Sequence, residues 1–198
     1  MTEASPKTPT IEAGRGVLLV VSGPSGAGKS SICRRLLEDP RVEFSVSATT
    51  RTPRRGEADG RDYIFLDKER FRAYIERGEF IEWAEVHGNL YGTLRAPMED
   101  ALARGRVYLV EIDVQGGTQL KTLELPGVYV FIAPPTLKEL RRRLEGRGTD
   151  PPEVVERRLR KANEEMMAQD RYDHVLVNDD LETTVARVRE LVGLNSLE

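Results

Sequence analysis

The chain is poor in the residues on which much protein chemistry depends. It has one cysteine, Cys33, in 198 residues, so no disulfide can form within it. Cys33 neighbours Ile32, Leu36 and Leu37, where a small buried apolar side chain is expected rather than a reactive thiol. There are two histidines, His87 and His174, far apart and with no second cysteine to complete a zinc set. Both are expected to be structural or surface residues. Apolar runs such as Val17–Val21 are far too short to span a bilayer. Net charge is −3, with 30 Lys and Arg against 33 Asp and Glu, so no bulk positive field recommends a nucleic-acid partner. Residues 1–15 have no secretory apolar stretch and no apolar period; a mobile tail is expected. A cytoplasmic domain with no membrane or nucleic-acid partner follows as the expectation.

The remainder is patterned. Val17–Ser22, Val42–Ala48, Val107–Asp113, Val128–Ala133 and Val175–Asn178 are β-rich runs without polar alternation, as parallel strands covered on both faces require. Between them lie helical stretches: Lys29–Asp39; a segment opened by Thr136 with Glu139 three residues on; one opened by Asp150 and Pro151; and one opened by Asp180, with Leu181, Val185, Val188 and Val192 at helical spacing. The alternation predicts an α/β fold, a doubly wound parallel sheet flanked by helices.

Two stretches interrupt it. Residues 49–66, TTRTPRRGEADGRDYIFL, carry two turn signals, followed by a short helix over Lys68–Arg77 with Phe71, Tyr74 and Ile75 on one side. This predicts a small β-rich lobe inserted after the second core strand. Residues 138–160 are densely charged, with an excess of Lys and Arg. The organisation expected is a tail (1–15), core (16–46), inserted lobe (47–97), core (98–137), a charged segment (138–160) and core (161–198).

GPSGAGKS, residues 23–30, follows the first strand and precedes the first helix. It matches G-x-x-x-x-G-K-[ST] in the context that this phosphate-binding motif needs. Gly23, Pro24, Ser25, Gly26, Ala27 and Gly28 form a loop whose N–H groups can converge on phosphate oxygens at a helix N-terminus. Lys29 is placed to reach the β- and γ-phosphates of a nucleoside triphosphate, and the Ser30 hydroxyl to ligate Mg²⁺. The N-K-x-D of guanine-triphosphate switches is absent. In the inserted lobe, Arg51 and Arg54 are three apart and can grip one dianionic phosphate, with Tyr63 and Tyr91 adding neutral O–H donors. Glu111 and Asp113 end a core strand two residues apart, on one face. A strand-end carboxylate beside such a loop is a natural partner for Mg²⁺ and its waters.

Together, SVSATTRTPRRGE, GRDYIF, EFIEWAEVHGNLYGT, EIDVQG, RRLEGRGTD and VNDDL, in this order after the loop, resemble guanylate kinases (ATP:GMP phosphotransferases) over residues 16 to about 192. The resemblance implies a GMP-binding lobe, with the phosphate on Arg51, Arg54, Tyr63 and Tyr91 and the base read by Ser47, Glu82 and Thr93. Glu82 would accept from guanine N1–H and N2–H₂, and Ser47 and Thr93 would donate to O6 or N7. It further implies that Asp113 lies near the phosphates and the metal, reached through water, and that Glu111, one methylene longer than the family's usual Asp, contacts guanine. Residues 138–160 become a lid whose Arg147 and Arg158 close over the transferring group. No side chain need act as nucleophile, because a GMP phosphate oxygen attacks directly. ATP and GMP are the implied substrates, with Mg²⁺ accompanying ATP. Two rival functions stand beside this one. The first is a P-loop kinase for another nucleoside monophosphate or a sugar phosphate, against which Ser47, Glu82 and Thr93 argue. The second is a non-catalytic module binding a phosphorylated protein segment, against which the intact Lys29 and Ser30 argue.

Overall fold

Strand β1 (Val17–Ser22) places Leu19 and Val21 on one face and Leu18 and Val20 on the other, and all four are buried. That is why the run has no polar alternation: both faces are covered. The computed structural model describes residues 16–86, 88–146 and 151–194. Its core is a parallel sheet in the order β2-β7-β1-β8-β9, from β2 (Val42–Phe44), β7 (Val107–Glu111), β8 (Val128–Ala133) and β9 (His174–Val177). On one face α1 (Lys29–Leu36) and α7 (Leu181–Leu191) bring Ile32, Leu36, Val185 and Val188 against Leu19, Val21 and Ile132. On the other, α3 (Arg95–Ala103) and α4 (Val114–Thr122) bring Met98, Ala101 and Leu120 against Leu18, Val20 and Phe131. The order β2-β7-β1 followed by β8-β9 puts β1 at the point where the winding reverses. Ligands of open parallel sheets gather there, at the carboxyl ends of the strands.

The run Val42–Ala48, expected as one strand, is divided. Phe44 pairs with Leu109 of the core, and Ser45 N–H donates to the Leu109 carbonyl; then Ala48 pairs with Ile64 and Gly92 in a second sheet. One extended segment thus passes from the core to the inserted lobe. That lobe is the sheet β4-β3-β6-β5, built from β3 (Ala48–Thr49), β4 (Ile64–Phe65), β5 (Phe80–Val86) and β6 (Asn89–Leu94), with α2 (Lys68–Glu76) against it. It has its own small core, in which Phe71 stacks on Phe80 with centroids 4.4 Å apart and Tyr74 and Ile75 pack alongside. Asp67 caps α2, accepting from Arg70 N–H at 2.7 Å.

Several expected caps are present. Thr136 Oγ1 accepts from Glu139 N–H at 3.0 Å at the start of α5 (Leu137–Glu145), and Asp180 from Thr183 N–H at 2.8 Å at the start of α7. Helix α6 spans Pro152–Met166, so Pro152 and not Pro151 takes the first helical position; Asp150 lies outside the described residues. Leu140 and Leu144 of α5 pack on Val155, Leu159 and Ala162 of α6. Helix α1 is shorter than the expected Lys29–Asp39. Cys33 is buried, and burial pushes its thiol pKa well up, so it is inert filling as expected. Among the described residues no helix is long and apolar enough to cross a membrane.

Candidate active site

The loop between β1 and α1 turns back on itself in conformations only glycine tolerates cheaply. Gly23 has φ 138°, and a Cβ there would come within 2.2 Å of the Ile132 carbonyl oxygen. Gly28, φ 101°, is the left-handed residue that opens α1. The loop walls a cavity of about 400 Å³, which Lys29, Ser30, Glu111, Asp113 and Arg158 also line. The Lys29 ammonium donates to the carbonyls of Gly23 at 2.6 Å and Pro24 at 3.0 Å. Burial lowers its pKa, and the nearby Glu111, Glu165 and Asp113 carboxylates oppose that effect. Ser30 Oγ donates to Glu111 Oε1 at 2.6 Å, and Arg158, reaching down from α6, donates through Nη2 to Ser25 Oγ at 2.7 Å.

A second cavity of about 240 Å³ opens in the inserted lobe, lined by Ser47, Glu82, Tyr91 and Gly92. The two share a wall: Tyr63, Glu111, Ile112 and Asp113 line both. Glu82 and Thr93 are cross-strand partners on β5 and β6, and Thr93 Oγ1 donates to Glu82 Oε1 at 2.6 Å. Both are buried, at 7% and 1% exposure. Burial raises the Glu82 carboxyl pKa above its ordinary value, and the Thr93 hydrogen bonds restrain the rise. Thr93 does not line the cavity; its single proton is committed to Glu82.

The arginine pair is braced by a residue that the sequence did not single out. Glu57 Oε1 accepts from Arg51 Nη2 at 2.9 Å, and Glu57 Oε2 accepts from Arg54 N–H at 2.7 Å. The Arg51 guanidinium also lies 5.3 Å from the centroid of the Tyr63 ring. Tyr63 and Tyr91 meet edge to face, centroids 6.1 Å apart. Arg54 is exposed, and neither arginine lines the second cavity, although Arg51 touches its Tyr63 wall. Asp113 serves a structural purpose too, capping α4 by accepting from Gly116 N–H at 2.9 Å.

Lys161 and Glu165 were also missed. They follow Arg158 by three and seven residues on α6, the spacing that puts all three on one helix face, and all three line the first cavity. Arg147 and His87 lie outside the described residues. His174 sits on the edge strand β9, half-buried, with a pKa lowered by burial. Among the described residues no group of three His, Cys, Asp or Glu is gathered to hold a metal ion alone. Mg²⁺ in phosphoryl-transfer sites asks for less, usually one or two protein oxygens plus substrate phosphates. The Ser30 hydroxyl and Glu111 carboxylate, in contact beside the loop, are hard oxygen donors that fit such an ion.

Comparison with known proteins agrees with this geometry. A family model described as guanylate kinase matches residues 15–194. Curated guanylate kinases of Prochlorococcus marinus (strain MIT 9313) and Dechloromonas aromatica (strain RCB) are 45% and 49% identical over 184 and 183 residues. The first alignment covers 92% of this chain and 97% of the relative, the second 92% and 91%. The solved structure of guanylate kinase from Anaplasma phagocytophilum superposes with a TM-score of 0.72 at 36% identity, covering 96% of this chain and 90% of that one.

Proposed function

The chain belongs to the guanylate kinase family, and from that premise we propose how its residues divide the transfer of the ATP γ-phosphoryl group to GMP. The observation that carries the proposal is the shared wall: a phosphate-loop cavity and a cavity headed by a buried carboxylate meet at Tyr63, Glu111, Ile112 and Asp113. Donor and acceptor phosphates can therefore face each other without crossing solvent.

In the donor cavity, Gly23 to Ser30 receive the ATP phosphates. Lys29 exchanges its two loop carbonyls for phosphate oxygens, a substitution of partners that costs little because the ammonium is already desolvated and aimed. Ser30 and Glu111 would hold Mg²⁺, which when bound neutralises charge on the β- and γ-phosphate oxygens. This gives Glu111 the metal side of the wall and leaves Asp113, fixed as a helix cap, to face the acceptor. Arg158 on α6, with Arg147 eleven residues before it in sequence, is proposed to stabilise charge on the transferring group as residues 138–160 close. Closure excludes water, so that ATP is not hydrolysed.

In the acceptor cavity, Arg51 and Arg54 take the GMP phosphate, with the hydroxyls of Tyr63 and Tyr91 beside it. Glu82, ionised, accepts from guanine N1–H and N2–H₂, and Ser47 donates to the other edge. Thr93 acts on the base through Glu82, whose carboxylate it orients. Adenine would set a bare N1 lone pair against that buried carboxylate and is rejected for the unpaired charge. The enzyme is proposed to work in the cytoplasm on free nucleotides, residues 47–97 being the GMP lobe.

The test is ADP release with MgATP and, in turn, GMP, AMP, CMP, UMP and ribose phosphates. GMP alone should support rapid turnover. Comparable turnover with AMP or a ribose phosphate would overturn the assignment of the lobe.

A further inference from the structure

A peptide N–H serves a phosphate only if it faces the cavity. In a trans peptide the carbonyl of one residue and the N–H of the next point to opposite sides. The direction of the Gly28 N–H is therefore set by where the Ala27 carbonyl is held.

That carbonyl is held from behind. Asn178 Nδ2 donates to it at 2.7 Å, and Arg143 Nη1, reaching from α5, approaches at 3.4 Å. Asn178 is 5% exposed and rooted in the sheet: it follows β9, and its N–H donates to the Ala133 carbonyl at the end of β8 at 2.8 Å. Arg143 Nη2 donates to the Asn178 carbonyl at 2.9 Å, and Arg143 Nε to Glu139 at 2.8 Å, so both donors are fixed at their far ends. The contact leaves no room for adjustment, since a Cβ on Gly28 would lie 2.2 Å from Asn178 Nδ2. The Gly28 carbonyl is already taken by the N–H groups of Ser31 and Ile32, both at 3.1 Å, and Gly28 lines the donor cavity.

We propose that Asn178 is a positioning residue for phosphoryl transfer: by drawing the Ala27 carbonyl away from the cavity it turns the Gly28 N–H toward the phosphates of the donor nucleotide. The proposal rests on the assignment of the first cavity to ATP. Asn178 is not among the residues that line either cavity; it acts through one peptide plane. A phosphate loop made of glycines gains its permissive angles at the cost of rigidity. An amide clamped to the sheet restores the rigidity at the one peptide where the loop becomes the helix. Preorganised donors of this kind stabilise charge without reorganising during the reaction.

Asn178→Asp keeps the shape and sets a carboxylate oxygen against the Ala27 carbonyl. ADP and GMP affinities are measured by calorimetry on the same preparation. ADP affinity should fall roughly 10-fold or more, from a lost buried hydrogen bond and an acceptor facing an acceptor, while GMP affinity stays within about twofold. A purely structural role would weaken both alike; equal losses, or an unchanged ADP affinity, overturn the proposal. Turnover of GMP by the wild type is measured separately, so a selective ADP loss in an enzyme that ignores GMP would sink the kinase assignment and leave this one standing. If Asn178→Asp does not fold, amide NMR of the wild type decides. On ADP addition the Gly28 N–H should shift downfield while the Asn178 side-chain NH₂ stays protected from exchange. Release of that NH₂ on ADP binding would refute the clamp.

Discussion

Replacing Glu82 by Gln changes one oxygen to an NH₂ and almost nothing else, and the structure sets the size of the effect. Three donors converge on this side chain in the proposed complex: guanine N1–H, guanine N2–H₂ and the Thr93 hydroxyl, which already donates to Oε1 at 2.6 Å. A carboxylate, with two oxygens and about four lone-pair sites, accepts all three. An amide has one oxygen. If it faces Thr93, its NH₂ confronts the guanine donors; if it faces guanine, its NH₂ confronts Thr93. Either way a buried donor is left facing a donor and a charged hydrogen bond is lost, for about 2–4 kcal/mol together, or roughly 30- to 700-fold in kcat/KM for GMP. AMP should gain relative to GMP, because the amide can donate to adenine N1. The folded protein itself should become more stable at neutral pH, since burial disfavours the ionised Glu82 and the amide carries no charge to desolvate. Coupled ADP release with each monophosphate gives the GMP-to-AMP ratio, in which damage to folding or to the ATP site cancels. An unchanged ratio would mean that guanine is read elsewhere, with Asp113 the next residue to test.

Three further outcomes are expected. Lys29→Ala should lower turnover by on the order of 10²-fold or more, since it removes the charge aimed at the transferring group; near-normal turnover in a folded variant would refute the loop assignment. Arg51→Ala should weaken GMP binding by roughly 1.5–3 kcal/mol and leave ATP binding nearly unchanged, and equal losses in calorimetry would refute a separate phosphate grip. Because the Glu82 pKa is raised in the folded protein and guanine needs the ionised form, GMP affinity should fall as pH drops through that raised value. The titration of Glu82→Gln, which retains only the GMP phosphate's own protonation, is the control, and identical profiles would remove Glu82 from the binding site.

What could be foreseen from the sequence was what is local. The phosphate loop is contiguous, and its glycines, lysine and serine signal their use by spacing alone. Val17–Ser22 and Val128–Ala133 announce strands covered on both faces because nothing polar interrupts them. Helix α4 was invisible for the opposite reason. It contains Gly116 and Gly117, poor helix formers, and they are there because neighbours press in: a Cβ on Gly116 would lie 2.4 Å from the Ile112 side chain and one on Gly117 2.3 Å from the Tyr172 hydroxyl. The division of Val42–Ala48 between two sheets was equally hidden, since an extended run looks the same whichever strand it pairs with. At the site, the sequence offers residue types but not the partners they take. Thr93, expected on the base, donates to Glu82, and Glu111, expected on the base, accepts from Ser30 while lining both cavities; neither partner is marked in the sequence. Asn178 and Glu57 act across distances in the chain, or through a turn, that no periodicity marks.

The passage of one extended segment from the core sheet into the lobe has a mechanical consequence. Ser45 to Ser47 make the outward crossing, and the return is made where β6 runs directly into α3 at Leu94 and Arg95. Neither crossing is a loose linker: Ser45 N–H donates to the Leu109 carbonyl and Ile64 N–H to the Ser47 carbonyl in one, and Arg95 N–H donates to the Glu79 carbonyl in the other. Ile81, at the foot of β5, is buried in the main core and not in the lobe's own. The lobe is thus tied to the core by two short crossings and seated on it through Ile81, so the wall that the two cavities share is built by the course of the backbone and not by a flexible linker.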